Sequence, residues 1–220
     1  MRTFDDLYAI SADRKGGAAA LEALLNRPKP AADIAAIPEE DWLAAFSAAI
    51  FSTGLNWKVV ENKWPGILEA FRGFDVNACS MMGDDWFDAL MADTRIVRNG
   101  AKVQSVRDNA VFLKSLRDRG GAGKVFGEWP ARDFIGLLTL MKSEGARIGG
   151  TTGQYALRRM GVDSFLLSRD VVGRLIAEGV IDKAPTSKKA LTAVQGAFNT
   201  WMDQSGRSLT EISRVLAFSL

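Results

Sequence analysis

The chain has 220 residues, 47% of them hydrophobic and 25% charged, which suits one large globular domain or two small lobes with a well-filled core. A single cysteine, Cys79, and no histidine exclude a disulfide framework, a Cys/His zinc site, a four-cysteine iron–sulfur cluster and histidine-dependent catalysis. The formal charge of only +2 means that a nucleic-acid partner would have to be held by a local basic face. Acid–base chemistry is left to carboxylates, lysines, tyrosines or the one thiol.

Helical periodicity dominates, with no convincing strand-type alternation. The opening Met1-Arg-Thr-Phe-Asp-Asp places acids where a signal peptide has an apolar run. Asn26 to Pro38, with its three prolines, reads as an exposed connection. Glu39 to Ser52 is predicted as a helix with Trp42, Leu43, Phe46, Ala49 and Ile50 on its inner stripe. A second helix is predicted from Trp57 to Phe71, with Val60, Trp64, Ile67, Leu68 and Phe71 inward. Asp84 or Asp85 is a candidate cap for a short helix holding Trp86, Phe87, Leu90 and Met91.

Asn99 to Arg117 reads as a long helix with Val103, Val106, Ala110, Leu113 and Leu116 inward, broken by Gly120-Gly121-Ala122-Gly123. Ala131 to Lys142 and Thr151 to Met160 follow, the latter closed by Gly161. Three more helices fit Asp170 to Glu178, Ser187 to Met202 and Ser208 to Phe218. The apolar run from Phe134 to Met141 is far too short to cross a bilayer, so a cytoplasmic protein without membrane contact is expected. The predicted fold class is all-α.

Two stretches say more. The first is Ile50-Phe-Ser-Thr-Gly-Leu-Asn-Trp-Lys-Val-Val, followed by Lys63-Trp-Pro, Phe71-Arg-Gly-Phe-Asp, Asp93-Thr-Arg-Ile-Val-Arg-Asn-Gly-Ala-Lys-Val and Asn109-Ala. In order and spacing this composite resembles the 3-methyladenine DNA glycosylase I family from about Ile50 to Leu113, and Gly150-Thr-Thr with Tyr155 extends the likeness. The second, Arg147-Ile-Gly-Gly-Thr-Thr-Gly-Gln-Tyr-Ala-Leu-Arg-Arg, is similar to the hairpin and second helix of the wider helix-hairpin-helix glycosylase superfamily. Arg147 stands where that pattern has its first glycine, while Gly149 and Thr152 match it.

The resemblance implies a single helix-hairpin-helix glycosylase-like domain over residues 1–220, with lobes 39–145 and 1–38 plus 146–220 around a cleft. It implies that Arg147, Ile148, Gly149, Gly150, Thr151 and Thr152 hold the DNA backbone, with Arg98 and Lys102 nearby. Glycine lets backbone N–H groups approach a phosphate, and a helix start favours an anion. The alternative is a plain turn between packed helices, and the Arg and Lys residues read equally as a solvated face.

The implied base pocket comprises Trp57, Phe51, Ser52, Thr53 and Asn56, although Trp57 reads as well as a core residue. The family's pocket Glu falls on Ala49 and its Tyr on Ser11, with Tyr8 nearby; its zinc ligands are not matched, so no metal or cofactor is expected. Asp170 takes the place of the catalytic Asp, to stabilise an oxocarbenium-like sugar or orient water, and reads alternatively as a helix N-cap. Thr151 or Thr152 stands where a lyase lysine would be. A monomeric, monofunctional glycosylase that flips a damaged, alkylated base out of double-stranded DNA is therefore expected, with a non-catalytic DNA-binding relative as the alternative.

Overall fold

Capping and turn chemistry set where the helices of this chain begin and end. The computed structural model describes all 220 residues, as fourteen α-helices and three single-turn 3-10 segments with no strand. Helix α1 (Phe4–Lys15) starts on a capping box between Thr3 and Asp6 and stops at Gly16, whose φ is +90°. Helix α2 (Ala18–Glu22) follows, and α3 (Ala31–Ala35) lies inside the proline-rich connection. Burial of Ile34 makes that stretch more than an exposed linker.

Helix α4 (Glu39–Ser52) has the expected bounds and buries Trp42, Leu43, Phe46 and Ile50; Ala49 is only half-buried. The Asn56 side chain caps α5 (Trp57–Ala70) by accepting from Lys58 N. Leu68 is 42% exposed rather than inward, because Ile67 and Phe71 already fill the inner stripe there. After α6 (Val76–Ser80), α7 (Asp84–Ala92) starts at Gly83. Asp84 and Asp85 are thus first-turn acids, not caps, placed favourably at the positive end of the helix.

Helix α8 (Gly100–Ser115) is capped by Asn99, and its last expected residue belongs to a 3-10 turn, Arg117–Arg119. The glycine run beyond it carries an unforeseen helix, α9 (Ala122–Gly127), tight against α3. A Cβ on Gly123 would come within 2.6 Å of the Ile34 carbonyl oxygen, so glycine there serves packing rather than a break. A 3-10 turn, Ala131–Asp133, leads into α10 (Phe134–Glu144), and α11 (Thr151–Met160) ends at Gly161 with φ +98°. Helices α12 (Arg169–Ala177), α13 (Lys188–Ser205) and α14 (Leu209–Ser219) are each capped by a serine: Ser168, Ser187 and Ser208.

The contacts divide the chain into two compact units. The terminal unit comprises Met1–Lys29, Trp129–Leu137 and Gly161–Leu220; there α14 packs on α1 and α12 over a run of touching rings, Phe134, Phe165, Phe198 and Trp201. Glu178 is buried in this unit and accepts from Arg2 and Arg174. Burial opposes its charge, but the hydrogen bonds from Arg2 outweigh that and hold its carboxyl below the usual range.

The middle unit comprises Pro30–Glu128 and Leu138–Met160, with α4 packed against α5, α8 and α11. Its core holds Trp42 and Phe46 against Phe126, and Phe51 against Phe71. This division differs from lobes at 39–145 and 1–38 plus 146–220: residues 30–38 and 146–160 group with the middle segment, because α3 packs on α9 and α11 on α4.

Candidate functional site

The hairpin Gly145–Gly150 and α11 lie within the middle unit, together with the part of α10 from Leu138 onward. Asn109, fully buried on α8, pins the hairpin in both directions: its Nδ2 donates to the Ala146 carbonyl at 3.0 Å and its Oδ1 accepts from Ala146 N at 2.8 Å. Ile148 is also fully buried, so its side chain belongs to the core and only its backbone is left for a DNA contact. Gly149 has a packing reason of its own, since a Cβ there would lie 2.6 Å from Lys142 Cβ and 2.7 Å from its Cα. Gly150 faces open space, and Arg147 and Thr151 are exposed, with Thr152 half-buried.

Arg147 has φ +61°, a left-handed conformation that glycine adopts without penalty and an L residue adopts at a cost of about 1 kcal/mol. The backbone thus keeps a glycine-type bend at the position where the sequence departs from Gly-x-Gly. The fixed bend projects the Arg147 side chain into solvent at the hairpin tip.

Beside the hairpin, α4 and α11 enclose a groove of roughly 420 Å3, within the range typical of small-ligand sites. One wall is Ala45, Ala48, Ala49, Ser52 and Thr53, a stripe at helical spacing next to the buried face of α4. The other is Thr151, Thr152, Tyr155, Ala156 and Arg159, one face of α11. Small side chains on α4 leave the volume, while Tyr155, 53% exposed, offers an aromatic face. The Ser52 hydroxyl donates to the Ala48 carbonyl and the Thr53 hydroxyl to that of Ala49, so both turn acceptor lone pairs outward.

Of the expected pocket residues, Ser52 and Thr53 line the groove, and three do not. Phe51 is fully buried against Phe71 and is a core residue. Asn56 spends its side-chain oxygen on capping α5. Trp57, 59% exposed, is neither core nor groove lining. Ala49, at the family's glutamate position, does sit in the wall, whereas Ser11 and Tyr8 belong to the terminal unit. There the Ser11 hydroxyl donates to the Leu7 and Val215 carbonyls and the Tyr8 hydroxyl to Glu22.

Lys102 is corrected as a DNA contact. It is only 9% exposed, and its Nζ donates to the Phe51 and Thr53 carbonyls at 3.1 and 2.7 Å, closing the C-terminal end of α4. Desolvation, and then the nearby Arg147 charge, lower its pKa. Arg98 remains exposed before α8. We expect Lys102→Met to cost about 2 kcal/mol, the range for hydrogen bonds to a charged group. Urea unfolding should show a lower midpoint at unchanged slope.

Asp170 is exposed on the first turn of α12 in the terminal unit. It is not the N-cap: Ser168 Oγ accepts from Val171 N at 3.3 Å and fills that role. Cys79 drops out of the acid–base candidates, because burial, then the Asp75 charge, push its thiol up to about 12.

The sequence of residues 38–128 matches the family model described as methyladenine glycosylase. The match covers less than half of the chain. The matched segment takes in α4, hence one wall of the groove, together with α5 and α8; it stops before the hairpin and α11. Among solved structures, the crystal structure of 3-methyladenine DNA glycosylase I aligns at 18% identity and a TM-score of 0.49, over 70% of this chain and 86% of that one. No curated protein matches the chain significantly.

Within the matched segment, Ser52 and Thr53 were legible as pocket residues and Ala49 as the position of the family's glutamate. Tyr155, Arg159 and the anchoring Asn109 were not identified as site residues. For the first two the available signal was their i, i+4 spacing from Thr151, which places all three on one face of α11.

Proposed function

We propose that this chain is a monofunctional DNA glycosylase that binds double-stranded DNA through the hairpin, takes a flipped base into the α4–α11 groove and hydrolyses its N-glycosidic bond. The observation that carries this reading is that hairpin and groove share α11. Its first turn completes the hairpin, and the same helix face makes one groove wall. A phosphate held at Gly150 and Thr151 would therefore lie one helical turn or two from the groove wall formed by Tyr155 and Arg159.

In the reaction the bond between C1′ and the base nitrogen breaks and its electron pair leaves with the base. Positive charge develops on the sugar, and water adds its oxygen to C1′ while its proton passes to the departing base or, where that base leaves neutral, to solvent. We assign Asp170 to stabilise that charge and orient the water; no residue here need form a covalent intermediate. The hairpin positions Thr151 and Thr152 carry no amine, so no Schiff base forms there and the abasic strand stays intact.

A second reading, a DNA-binding relative without chemistry, is favoured by Ala49, since the groove lining contains no carboxylate. Free base released from duplexes carrying alkylated, deaminated or no lesions separates the two. We expect release from at least one lesion class, with strand cleavage absent until alkali is added. Tight duplex binding without any release would place the chain in the second class.

A further inference from the structure

We propose that the α4–α11 groove selects an uncharged, carbonyl-bearing base, and that Arg159 stabilises the electron pair that leaves with it. The inference rests on the glycosylase reading of the groove and names its substrate class.

The groove carries the guanidinium of Arg159, contains no Asp or Glu in its lining, and has the positive end of α11 at Thr151 and Thr152. Its electrostatic sign is therefore positive. A purine alkylated on a ring nitrogen enters such a groove as a cation and meets repulsion without a compensating carboxylate. A neutral base such as uracil or hypoxanthine enters without that penalty and presents a carbonyl oxygen to the guanidinium donors.

The reaction sharpens the difference. When a neutral base departs with the bonding electron pair, it gains negative charge, most of it on its carbonyl oxygens. Arg159 then interacts more strongly with the transition state than with the bound substrate, which is what accelerates a step. A cationic base becomes neutral as it departs and needs no such partner. The groove also supplies Tyr155 as a stacking face, which does not discriminate between the two classes.

The test is single-turnover release below saturation from duplexes carrying uracil, hypoxanthine, 7-methylguanine or 3-methyladenine, by the parent, Arg159→Gln and Ala49→Glu proteins. Relative to uncatalysed release from the same duplex, the parent should accelerate loss of a neutral base more than loss of either cationic one. Arg159→Gln should lose on the order of 10²-fold on the neutral base, as when one oxyanion donor is removed, and nothing on the cationic bases. Ala49→Glu, which sets a carboxylate in the opposite wall, should shift the preference toward the cationic bases. Melting curves control for folding, and Arg159 is exposed, so its substitution leaves the core untouched.

A greater acceleration for the cationic bases by the parent, or equal losses on both classes in Arg159→Gln, overturns the inference while leaving the glycosylase reading intact. Absence of release from all four duplexes overturns both.

Discussion

Asp170→Asn protein should release base on the order of 10²-fold or more slowly than the parent in single turnover, at nearly unchanged stability. The rate effect follows from the role proposed for Asp170, and the small stability change from the position of its side chain. Asp170 is exposed on the first turn of α12, and the cap belongs to Ser168, whose hydroxyl accepts from Val171 N. Replacing the carboxylate with an amide keeps its size and leaves the cap in place. It forfeits only the attraction between an acid and the helix N-terminus, about 0.3–1 kcal/mol. Duplex affinity should hold or rise, because one charge repelling the phosphates is gone. Base release and thermal melts of the two proteins, side by side, separate chemistry from folding. Equal release by both would remove Asp170 from the mechanism.

The hairpin yields the second large effect. Gly150→Glu should weaken duplex binding about tenfold or more, with the melting temperature unchanged, since a Cβ at this position meets no atom within 4 Å. The parent's affinity should fall with salt at a log–log slope of about −2 to −5, reflecting a few phosphate contacts. Gly149→Asp is the necessary contrast. Its Cβ would press on the Lys142 backbone, so it should destabilise the middle unit by about 1–3 kcal/mol whatever its effect on DNA. Fluorescence anisotropy on an undamaged duplex, with melts of both variants, reads the two effects apart. A Gly150→Glu protein that binds as tightly as the parent would take the phosphate contact away from the hairpin.

By itself the sequence determined the helical class, the likeness of the segment around Ile50 to Leu113 to methyladenine glycosylases, and several helix ends. Those ends were legible because capping is local: Ser187, Ser208, Asn99 and Gly161 act within one turn of their own position. The α4 core stripe was legible for a similar reason, helical period alone bringing Trp42, Leu43, Phe46 and Ile50 to one face.

Tertiary structure decided what each polar or small residue near the motifs is used for. Lys102 and Asn109 lie on α8, yet one closes the end of α4 and the other anchors the hairpin 37 residues away. Phe51 follows Ile50 into the core, while Ser52 and Thr53, one and two residues later, turn into the groove. Gly149 and Gly150 are adjacent and alike in sequence, but one faces Lys142 and the other open space. The groove itself exists only because α11 packs on α4, joining two stripes about a hundred residues apart in the chain. Period and capping propensity act along one helix, whereas a binding site is made by which helices meet, and that is fixed by packing over the whole core.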